Sequence, residues 1–166
     1  CTNEKMDWII QKAVELGVTV IQPLQTQRSV VRLSGERAEK RQQHWQRIII
    51  SACEQCGRNK IPELMTLISY SDWLNQYKSN QNDQPTTSSA KLMFTPTAHA
   101  KLSALQPNSK DFIVVLVGPE GGLTPSEEKL AIATGFIATR LGQRTLRTES
   151  AGLAALASIQ ALWGDY

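Results

Sequence analysis

The sequence predicts an α/β fold, a mostly parallel sheet flanked by helices, from three observations. From Ala90 onward, apolar strand-like runs alternate with stretches of helical spacing: "KLMFTP", "DFIVVLVGPEGG", "PSEEKLAIATG", "IATRLG" and "LRTESAGLAALASIQALWGD". Near-continuous apolar strands between helices indicate a sheet buried on both faces. Two of these strands run directly into glycine-bearing turns that open a helix. The first third repeats the alternation, with a helix, a β-branched run and a second long helix.

In chain order, residues 4–16 place Met6, Ile9, Ile10, Ala13, Val14 and Leu16 at helical spacing, and Gly17 stops the helix. The β-branched "VTVIQPL" predicts a strand from Val18 to about Pro23. A polar, basic stretch then leads into a helix from about Gly35 to Cys56, burying Trp45, Ile48, Ile49 and Ala52 and closed by Gly57. "IPELMTLIS" (Ile61–Ser69) predicts a strand, followed by a short helix "SDWLNQYK" capped by Ser71 or Asp72. Residues 79–89, "SNQNDQPTTSS", hold no apolar residue and predict a surface loop. Each side of that loop has too little core to stand alone, so one domain is expected. Near the end, Thr124 is the predicted cap of a helix with Pro125 in its first position, and Thr148 or Glu149 caps the last helix.

Composition narrows the function classes. A chain of 166 residues, 41% hydrophobic and 20% charged, has room for a real core. No apolar run approaches the roughly 18–20 residues that span a bilayer, and no signal peptide is visible. Cys1, Cys53 and Cys56 are an odd set without an extracellular signal, which points to a reducing compartment. His44 and His99 show no metal-ligand spacing and no second C-x-x-C exists, so no metal is expected. Charge is uneven: residues 1–60 carry ten Lys/Arg against six Asp/Glu, a balance of +4, whereas residues 61–166 carry eight against nine. A basic first third suits either a polyanionic partner or a solvated helix face.

Parallel α/β sheets bind ligands at the carboxyl ends of their strands. Three loops therefore compete for the site: the one from Thr95–Pro96 onward, Gly118–Gly122, and Gly142–Ser150. The turn "GPEGG" is neither a P-loop, since Leu123 and Thr124 follow Gly122, nor a dinucleotide fingerprint, since its glycines have the wrong spacing. Its glycines admit a ligand to the backbone, while Glu120 opposes a phosphate. In "LGQRTLRTESA", Arg144 and Arg147 precede a helix rich in Ala and Gly, where they suit a phosphate or a substrate carboxylate.

Read together, "VGPEGGLTPSE", "LGQRTLRTESA" and the closing "ALWGD" resemble the ribosomal RNA small subunit methyltransferase E family of the SPOUT methyltransferase superfamily. The first half agrees through "KMDWIIQKAVELGVTVIQPLQTQRSV" and "HWQRIIISACEQCGRNKIPEL". The resemblance covers essentially the whole chain, residues 1–166, as the SPOUT methyltransferase domain. It implies a C-terminal deep trefoil knot, S-adenosylmethionine as cofactor, a homodimer through the knot region, and a cytoplasmic enzyme. The implied reaction methylates N3 of a uridine in 16S ribosomal RNA, as naked RNA or in the assembled 30S subunit. Family members carry an N-terminal PUA-like RNA-binding domain; this chain starts at the first methyltransferase helix, so that domain is expected to be missing from it.

Carried onto this chain, the resemblance makes Thr95, Leu116, Gly118, Pro119, Gly121, Leu141, Gly142, Leu146, Ser150 and Ala151 the cofactor-binding residues. Arg147, Glu149 and Glu120 are the catalytic candidates. A carboxylate is electrostatically suited to a sulfonium, Arg147 to developing oxygen charge on the uracil, and Glu149 to the departing N3 proton. Arg28, Arg32, Arg58, Lys60 and Arg144 are the candidates for RNA contacts. Competing readings are ribose 2′-O methylation, a non-catalytic RNA-binding module on the same scaffold, and a nucleotide-dependent phosphotransferase, which the missing P-loop Lys disfavours.

Overall fold

The computed structural model describes residues 3–30, 32–79, 89–107 and 112–166. Its elements run α1 (Asn3–Glu15), β1 (Val20–Ile21), β2 (Leu24–Gln25), α2 (Gly35–Cys56), β3 (Glu63–Leu64), β4 (Ile68–Ser69), α3 (Tyr70–Ser79), β5 (Ser89–Phe94), β6 (Ala100–Lys101), β7 (Phe112–Val117), α4 (Pro125–Ala133), β8 (Ile137–Arg140) and α5 (Thr148–Trp163). Every strand pairing among the described residues is parallel. The main sheet has the order β6-β8-β5-β7, and β1–β3 and β2–β4 form two further pairs. Most of the surface loop expected at 79–89 lies outside the described residues.

The main sheet is buried on both faces with the period of two that a strand imposes. Met93 of β5 and Leu116 of β7 join Tyr70, Trp73 and Leu74 of α3 and Ala131 of α4. The neighbouring residues Leu92 and Phe94 face the opposite way, onto Ala155 and Ile159 of α5. The rings of Trp73 and Phe136 pack at 5.6 Å between centroids, within the range of favourable aromatic pairs. A separate core joins Ile10 and Val14 of α1 to Trp45, Ile49, Ala52 and Cys53 of α2. Cys53 thus lies in the helix interface while Cys56 is exposed, so the C-x-x-C pair does not converge.

The strand predicted from Val18 to about Pro23 shortens to β1, with β2 beginning just past Pro23, and the one predicted over Ile61–Ser69 is split into β3 and β4. Pro23 has no N–H to give to a ladder. The Gln22 side chain bridges the gap instead, donating to the carbonyls of Pro23 at 2.9 Å and Thr66 at 2.7 Å. The cap of α3 is Ser69, rather than Ser71 or Asp72: its hydroxyl accepts from the Asp72 N–H at 3.1 Å and donates to the Asp72 carboxylate at 2.6 Å. Thr124 caps α4 as expected, in a full capping box with Glu127. Arg147, with extended backbone, occupies the N-cap of α5, so Thr148 and Glu149 are already inside the helix. Gly57 closes α2 with φ 76°, a left-handed conformation that suits glycine. Helices α1 and α5 meet where Gln160 donates to the Leu16 carbonyl at 3.0 Å.

Candidate active site

Sheet register brings the three loops of interest side by side. Phe94 pairs with Val117 on one side and with Thr139 on the other, so Thr95 and Gly118 leave the sheet as neighbours, with Arg140, the last residue of β8, beside Thr95. The Thr95 N–H still donates to the Thr139 carbonyl at 3.1 Å, and its hydroxyl donates to Glu128 at 3.1 Å. Thr95 is thereby fixed between β8 and the first turn of α4.

The glycine loop is a tight turn, closed by the Gly122 N–H on the Pro119 carbonyl at 2.8 Å. A Cβ at Gly118 would stand 3.0 Å from the Leu123 backbone nitrogen and 3.2 Å from its Cγ, so a side chain here would have to push Leu123 aside. Gly122 holds φ 68°. The following helix start is anchored by Glu127, which is only 4% exposed. One Glu127 oxygen accepts from the Thr124 N–H and the other from the Gln27 N–H, both at 2.8 Å. Tyr70 donates its hydroxyl to the Glu127 carbonyl at 2.8 Å. Burial, followed by Glu127 and Glu128, raises the Tyr70 pKa and keeps it a donor.

Glu120 and Glu149, which come from different loops, meet at one lysine of α1. Lys5 Nζ lies 3.8 Å from Glu120 Oε1 and 3.4 Å from Glu149 Oε1. The Glu149 side chain is 16% exposed, and its Oε2 is buried without a hydrogen-bond partner among the described residues. Its own backbone N–H lowers the Glu149 pKa against the effect of burial, helped by Lys5 and Arg147. Partial burial works to raise that of Glu120, but its backbone N–H and Lys5 bring it below the ordinary value. Both groups therefore stay anionic at neutral pH. An ionised oxygen with no partner favours a cationic group beside it.

Two hollows flank the strand ends. The larger, about 820 Å³, has α1, residues 18–24, β7 and α5 as walls, and includes Leu116, Gly118, Pro119 and Thr148. The smaller, about 360 Å³, lies on the β6–β8 side and includes Leu141 and Gly142 with Leu102 and Ser158. Both have the size of small-molecule sites. Thr95, Gly121, Leu146, Ser150 and Ala151 line neither hollow. Gly142 has open space where a side chain would be, and Leu146 is 38% exposed.

The basic candidates separate by environment. Arg28, Arg32, Lys60 and Arg144 are exposed. Arg58 Nη1 instead donates to the carbonyls of Val14 and Val18, both at 2.8 Å, where it satisfies the end of α1. Arg28 Nη1 donates to the Gly121 carbonyl at 2.7 Å. Sequence reasoning missed Lys5, Gln27 and Glu127. Only Glu127 had a local signal, the T-x-x-E spacing from Thr124.

The model of a family described as RNA methyltransferase domain matches residues 1–160. The ribosomal RNA small subunit methyltransferase E of Buchnera aphidicola is 37% identical over 163 residues, covering 98% of this chain and 63% of that protein. The protein of the same name in Bacillus subtilis is 33% identical, covering 95% and 61%. A crystal structure of a ribosomal RNA small subunit methyltransferase E from Neisseria gonorrhoeae, bound to S-adenosyl methionine, superposes with a TM-score of 0.84 at 44% identity. That superposition covers 98% of this chain and 63% of the other. The chain thus spans less than two thirds of the length of these relatives.

Proposed function

This chain belongs to the RNA methyltransferase domain family, and we propose from that premise that it uses S-adenosylmethionine to methylate N3 of a uridine in 16S ribosomal RNA. The observation that carries this reading is the meeting at Lys5 of Glu120, from the glycine loop, with Glu149, whose buried Oε2 has no partner among the described residues. A cofactor with a positive centre fits that oxygen, and the open space beside the Gly142 backbone fits an adenosine held by main-chain groups. The cofactor supplies a methyl group on a sulfonium, and this chain's residues bind, orient and move the proton.

Leu116 lines the larger hollow and Leu141 the smaller, and holding methyl donor and uracil in line contributes much of the acceleration. Arg147, at the N-cap of α5, offers a fork for negative charge developing on the uracil oxygens. Glu149 lies two residues on and accepts the N3 proton. Its lowered pKa keeps it ionised but weakens it as a base, which gives its charge the larger part. The exposed Arg32, Lys60 and Arg144 are the RNA contacts of this reading.

The same proposal extends to the chain's path and assembly. Strand β8 enters between β5 and β6 although it is the last strand in sequence, which supports a deep trefoil knot. Exposed Leu146 and Leu162, before and near the end of α5, support a homodimer through this region. No helix among the described residues is long and apolar enough to cross a membrane. A cytoplasmic location follows from the ribosomal substrate.

The test is methyl transfer by the full-length protein from labelled S-adenosylmethionine to small ribosomal subunits, followed by nucleoside analysis. The expected product is 3-methyluridine. A 2′-O-methylated nucleoside transfers the reading to ribose methylation, and cofactor binding without any methylated product leaves an RNA-binding module.

A further inference from the structure

We infer that Arg28 is a positioning residue for the glycine loop, holding the backbone that the cofactor meets rather than serving RNA as its main task. Arg28 Nη1 donates to the Gly121 carbonyl at 2.7 Å. Its stem lies along the same residue: a Cβ on Gly121 would stand 3.4 Å from both Cβ and Cδ of Arg28. The preceding residue fastens the other end of the loop, since the Gln27 N–H donates to buried Glu127 at 2.8 Å. Glu127 in turn holds the Thr124 N–H. Residues 26–29 therefore grip residues 118–124 at Gly121 and at Thr124.

The grip comes from a rigid turn. The Ser29 N–H donates to the Thr26 carbonyl at 3.3 Å, and the Thr26 N–H donates to the Ser29 hydroxyl at 3.0 Å. Thr26 itself is buried. Such an anchor matters because a glycine-rich loop has more backbone freedom to lose than any other. A ligand that must order the loop binds more weakly by the cost of doing so, and a latch removes that cost beforehand. The arginine belongs to the basic first third of the chain, but its guanidinium and stem are turned to the glycine loop.

The inference rests on the proposed cofactor site, so titration of the unaltered chain with S-adenosylmethionine by calorimetry comes first. Absence of binding there defeats that reading itself. Given binding, Arg28→Ala is expected to weaken it about tenfold, equivalent to about 1.4 kcal/mol. Arg28→Lys, which keeps the stem and one donor, restores most of the affinity. Lys129→Ala, exposed on α4, leaves it unchanged. In cofactor-free protein, hydrogen exchange at the amides of residues 118–124 accelerates in Arg28→Ala and not in Lys129→Ala. Unchanged cofactor affinity in Arg28→Ala, with RNA affinity lost, overturns the inference in favour of an RNA contact. Faster exchange spread over the whole chain, with a lowered Tm, overturns it in favour of general destabilisation.

Discussion

In residues 3–69 the parallel pairs β1–β3 and β2–β4 extend over two residues each, whereas β5 and β7 hold register over six. The first region keeps its apolar surface mainly between two helices, through Trp45, Ile49, Ile10 and Val14. The second keeps it on both faces of a sheet. The loops of the second region carry the proposed site, yet much of what fixes them reaches over from the first: Lys5 to Glu120 and Glu149, Gln27 to Glu127, Arg28 to Gly121. The short-stranded region acts as a buttress. A glycine loop at a sheet edge has few contacts of its own, so order must be imposed from outside.

The strongest way to break this comparison is to remove the buttress core. Trp45→Ala is expected to cost about 3–5 kcal/mol in urea denaturation, because the ring is buried and its N–H donates to Asp7 at 3.1 Å. A single transition sensed in both regions makes them one cooperative unit; a first transition that leaves the β5–β8 sheet protected separates them. Next in size, Arg147→Ala is expected to cut turnover about a hundredfold while cofactor affinity changes little. Equal loss of both in single-turnover and binding measurements moves Arg147 to the cofactor.

The smallest effect belongs to Lys5. Both glutamates beside it have lowered pKa values, so their contribution to stability is present above the ordinary value of 4.5 and fades as pH falls through the lowered ones. Lys5→Met moves those pKa values back up, so the drop in Tm between pH 7 and the acid range becomes shallower. An unchanged drop uncouples Lys5 from the pair.

Local patterns were legible in the sequence where the physics is local. The helical spacing of Ile9, Ile10, Ala13 and Val14 places α1, and Thr124–Pro125 marks the start of α4. The Ser69 cap was readable too, since serine followed by aspartate three residues on can close its own ring of bonds, but the strand-like run ending at Ser69 masked it. The resumption of pairing at Leu24 and the break after Leu64 were not legible, because pairing over two residues leaves almost no alternation to detect. Arg28 and Arg58 read simply as positive charge. Their carbonyl partners lie 93 and 44 residues from them in the chain, and no local pattern encodes a guanidinium turned to backbone.

The place of β8 also dictates an order of events. β6 pairs with no described strand except β8, and one edge of β5 is covered only by β8. Until residues 137–140 have emerged from the ribosome, that edge presents unpaired N–H and carbonyl groups to any neighbouring chain. The sheet can be completed only after residues 137–140 have been synthesised, so the nascent chain passes through an aggregation-prone interval until then. Slow release or premature termination before Ile137 would prolong that interval, and the quality-control machinery would meet this protein chiefly as an unfinished sheet.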